Sequence, residues 1–137
     1  MSVIVDTNFI IRLARGDPGA ERLLRRIRSG GEHLILPTPV IYELETGFAF
    51  TGNEQARERF LDVTRDYSTR DFDEMRAERA GRIAASLMRE RIEAGDVDIM
   101  VASFALPQRD SVASNDPDFE GIARAAGVPL RRWGQDP

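Results

Sequence analysis

Four acidic residues stand next to apolar segments, where buried strands or helices would direct their side chains towards one place. Asp6 follows the apolar run 2–5, Asp98 precedes the run 99–102, and Asp116 follows the run 111–115. Glu43 lies on the flank of an apolar helical stripe. Hard divalent cations prefer carboxylate oxygens. Because the chain has no Cys and a single His, these acids predict a Mg²⁺ or Mn²⁺ site rather than a zinc site.

Each of these acids also has an ordinary structural role open to it. Asp6 before Thr7, and Asp116 before Pro117, both fit helix N-caps, whose side chains accept hydrogen bonds from backbone N–H groups. Thr7 and Asn8 either steady Asp6 or a water in the site, or act as capping groups themselves. A single acid is a weak signal, and it is the joint placement that indicates a functional site.

The residues alone leave two choices open. On the helix predicted from Thr38, Glu43 and Glu45 lie on opposite flanks of the apolar stripe, and amphipathicity does not choose between them. Asp96 and Asp98 both precede an apolar helix, where one acid is enough for a cap. We expect one of the two to cap and the other to serve the site, with Asp98 closer to the buried segment.

Short β-type runs alternate with longer helical patterns, which predicts an α/β fold with a parallel sheet. The candidate strands are Val3–Asp6, His33–Leu36, Asp66–Thr69, Ser111–Ala113 and Val128–Arg131. Ligands of open parallel sheets bind beyond the carboxyl ends of the strands. Because Asp6 and Asp116 lie at two such ends, we expect the acids to lie close together in space.

Apolar residues at helical spacing fill the gaps between these strands. Helices are predicted over Pro18–Ser29, from Thr38 as N-cap with Pro39 in the first turn, after Asn53 as N-cap, over Asp71–Ile92, over Asp98–Leu106, and from Asp116 to Gly127. The inward residues are predicted to include Leu61 on the helix after Asn53 and Met88 on the longest helix. With no repeat and no linker, residues 1–137 are predicted to form one domain.

Composition bounds the class of protein. A chain of 137 residues with 42% hydrophobic residues has enough material for one core. No apolar stretch approaches the ~20 residues of a membrane span, and Asp6 interrupts the first apolar run too early for a secretory signal. The lack of cysteine excludes disulfides and thiolate sites. We expect a soluble, cytoplasmic protein that does not associate with membranes.

The charges exclude several nucleotide and phosphate chemistries. The net charge of -4 means that the bulk field of the protein does not attract nucleic acid. All 19 basic residues are arginine. Phosphoaspartate enzymes and P-loop nucleotidases both need a lysine at the phosphoryl group, and no Gly-rich loop follows the first strand. Those classes are therefore excluded.

Four segments of the chain resemble the PIN domain and, within it, the VapC toxins of bacterial and archaeal VapBC systems. They are residues 3–8, 42–47, 98–102 and 114–119, and their order and separation span essentially the whole chain. The family often has Thr at the position of Ser114, and the serine keeps the hydroxyl group of that threonine. The resemblance implies a single PIN-like domain, with a parallel sheet flanked by helices, that acts as a metal-dependent ribonuclease.

The resemblance also assigns roles, and it selects Glu43 over Glu45 and Asp98 over Asp96. The implied catalytic residues are Asp6, Glu43, Asp98 and Asp116. Asp6, Asp98 and Asp116 would hold one or two Mg²⁺ or Mn²⁺ ions, and Glu43 would be a ligand or a base that orients water. The implied auxiliary residues are Thr7, Asn8, Asp96 and Ser114.

Binding partners follow in part from the residues and in part from the resemblance. An acidic pocket needs local arginines to hold RNA, and Arg12 and Arg15, which follow Asp6 closely, are predicted to contact phosphate. Trp133 either stacks on a base or packs the C-terminal tail, and packing is our prediction. The resemblance implies a VapB-type antitoxin that masks the acidic pocket, and a homodimer.

Two alternatives to a toxin stay open at this point. A housekeeping RNA-processing PIN nuclease would use the same chemistry, and small size without an added RNA-binding domain favours the toxin. A non-catalytic PIN-like module would only bind RNA or a protein. Such a module is expected to lack one of the four acids, and all four are present here.

Overall fold

A computed structural model of the protein describes residues 1–134 and contains a sheet of five parallel strands, as predicted. The strands are β1 Ser2–Val5, β2 His33–Pro37, β3 Ser68–Arg70, β4 Ser111–Ala113 and β5 Leu130–Arg131. Their order across the sheet is β3-β2-β1-β4-β5, which places β1 at the centre. Each predicted strand is found within two residues of its expected bounds.

The central strands position the two acids that follow them. Residues 3–5 of β1 and residues 112–113 of β4 are fully buried, because helices cover both faces of a parallel sheet and its inner strands are apolar throughout. Val5 is in register with Ala113. The residues that follow, Asp6 and Ser114, therefore leave the sheet side by side at its carboxyl edge.

Seven helices surround the sheet within residues 1–134. They are α1 Thr7–Ala14, α2 Pro18–Ser29, α3 Thr38–Thr51, α4 Glu54–Val63, α5 Glu74–Arg89, α6 Asp96–Ala102 and α7 Phe119–Ala126. Helix α1 packs on α2, α3 and α4, while α5, α6 and α7 pack on one another, and α3 also contacts α6. None of these described helices has the length and apolar character needed to cross a membrane.

The N-terminus of α3 differs from the prediction. Thr38 is the first helical residue, and Pro37 is the N-cap. The Thr38 hydroxyl accepts a hydrogen bond from the backbone N–H of Phe72 at 3.1 Å, so it ties α3 to the segment after β3 instead of capping its own helix. The prediction of Thr38 as N-cap was therefore wrong, whereas Asn53 does cap α4 by accepting from the N–H of Ala56.

Helix α5 is shorter than the predicted span of Asp71–Ile92. Asp73 is its N-cap, because a carboxylate oxygen accepts from the backbone N–H of Arg76 at 2.9 Å. At the other end, Arg91 adopts a left-handed backbone with φ 58, which stops the helix. Local capping thus ends a helix whose apolar pattern continues further.

Helix α6 begins and ends at other residues than predicted, and helix α7 begins later than predicted but ends at Gly127 as expected. Gly95 is the N-cap of α6, which starts at Asp96 and ends at Ala102, so Asp98 lies inside its first turn. Helix α7 starts at Phe119 rather than at Asp116. A carboxylate oxygen of Asp116 accepts from the backbone N–H of Asp118 at 2.9 Å, and this forms a turn ahead of the helix.

Two apolar residues predicted to face inward are exposed. Leu61 is 46% exposed and Met88 is 76% exposed, whereas their neighbours Phe60 and Leu87 are buried. Consecutive helical residues point about 100° apart. Phe60 and Leu87 therefore occupy the inward faces of their helices. Leu61 and Met88, one position further along the chain, face the solvent.

Candidate metal centre

Asp6 lies at the junction of β1 and α1, and its carboxylate is buried with 3% of the residue exposed. One oxygen, Oδ1, accepts from the backbone N–H of Thr7 at 2.8 Å, and Oδ2 accepts from the hydroxyl of Ser114 at 2.8 Å. Asp6 therefore does act as the N-cap of α1, as its ordinary role predicts. Its second oxygen, however, is directed across the sheet edge to the end of β4.

Thr7 and Ser114 connect Asp6 to two further acidic residues. The hydroxyl of Thr7 donates to Glu43 Oε1 at 2.5 Å, and the hydroxyl of Ser114 accepts from the backbone N–H of Asp116 at 3.2 Å. Segments that are far apart in the sequence are thereby joined into one hydrogen-bonded network. Thr7 and Ser114, predicted as auxiliary residues, lie between the acids of this network.

The structure also separates the two glutamates that the sequence pattern could not distinguish. Glu43 is exposed and faces Thr7, as just described. Glu45 forms an ion pair with Arg57 of α4, with Nε and Oε1 2.8 Å apart. Glu45 is therefore occupied in joining α3 to α4, and Glu43 is the glutamate beside Asp6.

Asp98 completes the group from the other side of a cleft. It is half-buried in the first turn of α6, and Glu43 lies on the same cleft, which has a volume of about 790 Å³. Gly95 lies next to it, because a Cβ on that residue would stand 3.7 Å from Asp98 Oδ2. The cleft walls come from α3, the segment before α6, and α6 itself.

The charges of Glu43 and Asp116 act on both Asp6 and Asp98. Burial raises the pKa of Asp6 from its ordinary 3.8 to about 6, against the hydrogen bonds from Ser114 and Thr7, and the charges of Glu43 and Asp116 raise it further. Burial also raises the pKa of Asp98 to about 7, with further contributions from Asp6, Asp116 and Glu43. A carboxylate raises the pKa of another only at short range. Asp6, Glu43, Asp98 and Asp116 therefore form one acidic cluster.

The donor set of this acidic cluster suits a hard cation. All the side-chain atoms that it offers to a cation are carboxylate oxygens, and no arginine or histidine within residues 1–134 forms an ion pair with any of the four acids. A buried carboxylate without a positive partner is costly. In this part of the chain no three His, Cys, Asp or Glu side chains stand in ligating geometry around one point. A bound cation would thus require the carboxylates to turn towards it from their present hydrogen bonds.

Within residues 1–134, no hydrogen bond or ion pair joins the other predicted site residues to this cluster. Asp96 is exposed at the rim of the same cleft, and Asn8 is exposed on the first turn of α1. Arg12 on α1 and Arg15 at its C-cap are exposed and form no ion pair within residues 1–134. Arg15 lines a different groove, between α1, α3 and α4. A role of these arginines in RNA binding stays a prediction.

Sequence reasoning missed one feature of the cleft wall. Tyr42 of α3 is 67% exposed and lines the cleft beside Glu43, and Met100 of α6 lines the same cleft. The sequence does place an aromatic residue directly before a candidate catalytic acid, and this could have indicated a contact with the substrate if the exposed face of α3 had been known. Trp133, by contrast, packs as predicted: it is buried against Phe9, with 5.3 Å between ring centroids.

Comparison with known proteins assigns the family. The PIN-domain sequence profile matches residues 3–125, which include all four acids of the cluster. The chain belongs to the PIN-domain family. No curated protein sequence matches this PIN domain significantly.

Solved structures share its fold at low sequence identity. The structure of VapBC2 from Rickettsia felis bound to a promoter DNA fragment matches with a TM-score of 0.84 and 18% identity, covering 97% of this chain and 99% of the other. VapBC-1 from nontypeable Haemophilus influenzae matches with 0.79 and 21%, covering 98% and 100%. DNA-bound VapBC from Salmonella typhimurium matches with 0.74 and 24%, covering 97% and 98%. This PIN domain therefore has the fold of a chain in each of these complexes over almost its full length.

Proposed function

We propose that this PIN domain is a divalent-metal-dependent endoribonuclease and the toxin of a type II toxin–antitoxin system. One observation supports the nuclease proposal above all others. The buried Asp6 carboxylate has no positively charged partner in the described chain, and it lies close to the negative charges of Glu43, Asp98 and Asp116. Buried charges are normally paired or coordinate metals. A cluster of four such acids at the carboxyl edge of a parallel sheet fits a cation and its ligand.

The residues present fit Mg²⁺ or Mn²⁺. Asp6 and Asp98 would be the central ligands, Asp116 would hold the same ion or a second one, and Glu43 would be a further ligand or a base. Divalent ions held there would polarise the scissile phosphate and make a water molecule more acidic. By resemblance to the family, cleavage would leave a 5′-phosphate and a 3′-hydroxyl.

The chain's own residues position these groups. The hydroxyl of Ser114 and the N–H of Thr7 hold the two oxygens of Asp6, so the carboxylate cannot rotate freely. Thr7 holds one oxygen of Glu43 and leaves the other oxygen to accept a proton from water at the open side of the cleft. Tyr42 offers an exposed ring to a base of the strand, and Arg12 and Arg15 are proposed to contact phosphates.

The toxin proposal draws on the structural neighbours. The matched chains come from VapBC complexes of three bacteria and are covered over nearly their whole length. We propose that a VapB-type antitoxin binds this chain and masks the acidic cluster, and that the chain forms a homodimer. Because RNA and antitoxin would both be met there, the proposed site of action is the cytoplasm.

Cleavage of RNA by purified protein tests the nuclease proposal. Wild type should cleave single-stranded RNA with Mn²⁺ or Mg²⁺ and lose activity in EDTA. Asp98→Asn should abolish cleavage while the circular dichroism spectrum stays unchanged, because it removes one charge of the cluster and keeps the side-chain shape. Asp110→Asn is unsuitable as a control because Asp110 holds two backbone N–H groups. Glu58→Gln, on the exposed surface of α4, is the matched control and should cleave normally.

Expression in bacteria tests the toxin proposal separately. Wild type expressed without an antitoxin should arrest growth, and Asp98→Asn should not. Co-expression of the cognate antitoxin should restore growth. Harmless expression of a wild type that is active in the cleavage assay would favour the RNA-processing role and reject the toxin role.

A further inference from the structure

A second cavity of the molecule is rich in positive charge. It has a volume of about 350 Å³ and is lined by four arginines and one acid, namely Arg70, Arg76, Arg79, Arg109 and Asp110. Arg70 lies at the end of β3, Arg76 and Arg79 lie on α5, and the last two residues precede β4. We refer to this cavity as the arginine pocket.

The acid in the arginine pocket does not neutralise the arginines. Asp110 Oδ1 accepts from the backbone N–H of Ser2 at 3.0 Å, and Oδ2 accepts from the backbone N–H of Leu106 at 2.9 Å. Both oxygens of Asp110 therefore join segments of the backbone. Within residues 1–134, neither Arg70 nor Arg109 forms an ion pair, and both are exposed.

The two arginines on α5 are fixed in place. Arg76 donates to Asp73 at 2.9 Å and lies over the ring of Phe104, 4.7 Å from its centroid, while its Nε is buried without a hydrogen-bond partner. Arg79 donates to the backbone carbonyl of Ser103. Positions fixed in this way lower the entropic cost of binding an anion. The pocket thus combines two held guanidinium groups with two exposed ones.

Two connections link the arginine pocket to the cleft that holds the acidic cluster. Thr38 lines the cleft and accepts from the N–H of Phe72, which is two residues after Arg70. The second connection is Ser103, whose carbonyl accepts from Arg79 and which is the C-cap of α6, the helix whose first turn carries Asp98. Asp98 and Ser103 are five residues apart, which is about 7–8 Å along the helix axis at 1.5 Å per residue. A strand lying on the cluster would reach the arginine pocket within a few nucleotides.

We propose that the arginine pocket is a phosphate subsite for the RNA strand whose scissile bond lies at the acidic cluster. This inference rests on the proposed nuclease function. A strong positive site is what a protein of net charge -4 requires in order to hold a polyanion next to four carboxylates. Guanidinium groups suit this task because their planar N–H pairs match phosphate oxygens.

The test changes the two exposed arginines and leaves the two fixed ones. Arg70→Gln combined with Arg109→Gln should weaken binding of a labelled single-stranded RNA roughly tenfold, as measured by fluorescence anisotropy in EDTA. The slope of log affinity against log salt should fall by about 0.7 for each phosphate that the variant no longer neutralises. In the cleavage assay KM should rise by a similar factor, and kcat should stay nearly unchanged. Arg70→Lys combined with Arg109→Lys should retain most of the affinity.

Arg82→Gln combined with Arg89→Gln is the matched control, because both residues are exposed on α5 and the charge change is the same. This control should bind and cleave RNA like wild type. Equal affinity and equal salt slope in the Arg70/Arg109 variant and the control, with a wild type that cleaves RNA, would overturn the subsite alone. If only binding of an acidic peptide such as polyglutamate is weakened, the pocket is a protein site and the proposal fails. A wild type that does not cleave RNA would reject the nuclease function, and this inference with it.

Discussion

Asp6→Asn is predicted to stabilise the metal-free protein while removing its activity. The carboxylate of Asp6 is buried, and its pKa is raised from 3.8 to about 6. The folded state thus holds a proton more tightly than the unfolded chain, and stability decreases as the pH rises from about 3.8 to 6. Above that window, the folded protein carries a charge that burial disfavours. Asparagine fills the same space without that charge.

The size of the effect follows from the pKa. A difference of about 2 units at 1.36 kcal/mol per unit gives a penalty of about 3 kcal/mol at pH 8. By the same linkage, the penalty falls to roughly half at pH 5 and disappears well below pH 3.8. Against this gain, the single amide oxygen of asparagine can accept from the N–H of Thr7 but not also from the hydroxyl of Ser114, and the loss of one hydrogen bond costs about 1 kcal/mol at any pH. We therefore expect a net gain of about 2 kcal/mol at pH 8 that largely vanishes at pH 5.

Urea unfolding followed by circular dichroism in EDTA measures this difference. Asp6→Asn and wild type are compared at about pH 8 and pH 5, with Glu58→Gln as a surface control that should show no pH-dependent difference. Addition of Mn²⁺ at pH 8 should stabilise wild type and leave Asp6→Asn unchanged, since ligands stabilise the state that binds them. Destabilisation of Asp6→Asn by the same amount at both pH values would refute the reasoning, because the carboxylate would then contribute only its hydrogen bonds.

Three further predictions concern the cleft. Mn²⁺ affinity, measured by calorimetry, should increase between about pH 5.5 and pH 8, because ligands must lose their protons and Asp6 and Asp98 have pKa values of about 6 and about 7; an affinity independent of pH would mean that neither acid binds the ion. Glu43→Gln should lower kcat at least ~100-fold, which is the size of effect expected when a proton-transfer group or a metal ligand is lost. Glu45→Gln is the control: it removes the ion pair with Arg57, so it should cleave normally and melt at a slightly lower temperature. Tyr42→Ala should raise KM for RNA about 5–50-fold because one base no longer stacks on the ring, whereas Phe50→Ala, on the same helix and 91% exposed but away from the cleft, should not change it. Equal KM values in the last pair would exclude stacking on Tyr42.

The sequence was sufficient for the sheet and for two of the acids. Apolar runs that end in Asp6 and just before Asp116 predict strand ends, and the geometry of parallel sheets then brings those ends to one edge. The same local patterns failed at Thr38 and at Met88. There the outcome depends on a partner far away in the sequence or on the turn of a helix by one residue.

Choices between equivalent residues could not be made from local pattern either. Glu43 and Glu45 have similar surroundings in the sequence, and only the positions of Thr7 and Arg57 in space distinguish them. The arginine pocket was not predicted for the same reason. Arg70 and Arg109 come from segments separated by almost forty residues, and nothing near either of them in the sequence indicates that they share a cavity.

A crystal of the protein soaked in Mn²⁺ tests the central claim most directly. The anomalous difference map should show one or two peaks among the carboxylates of Asp6, Glu43, Asp98 and Asp116, each within about 2.0–2.4 Å of several oxygens. The carboxylates should have turned from their present hydrogen bonds towards the ion. A map without a peak at this position, at a Mn²⁺ concentration that supports cleavage, would contradict the account.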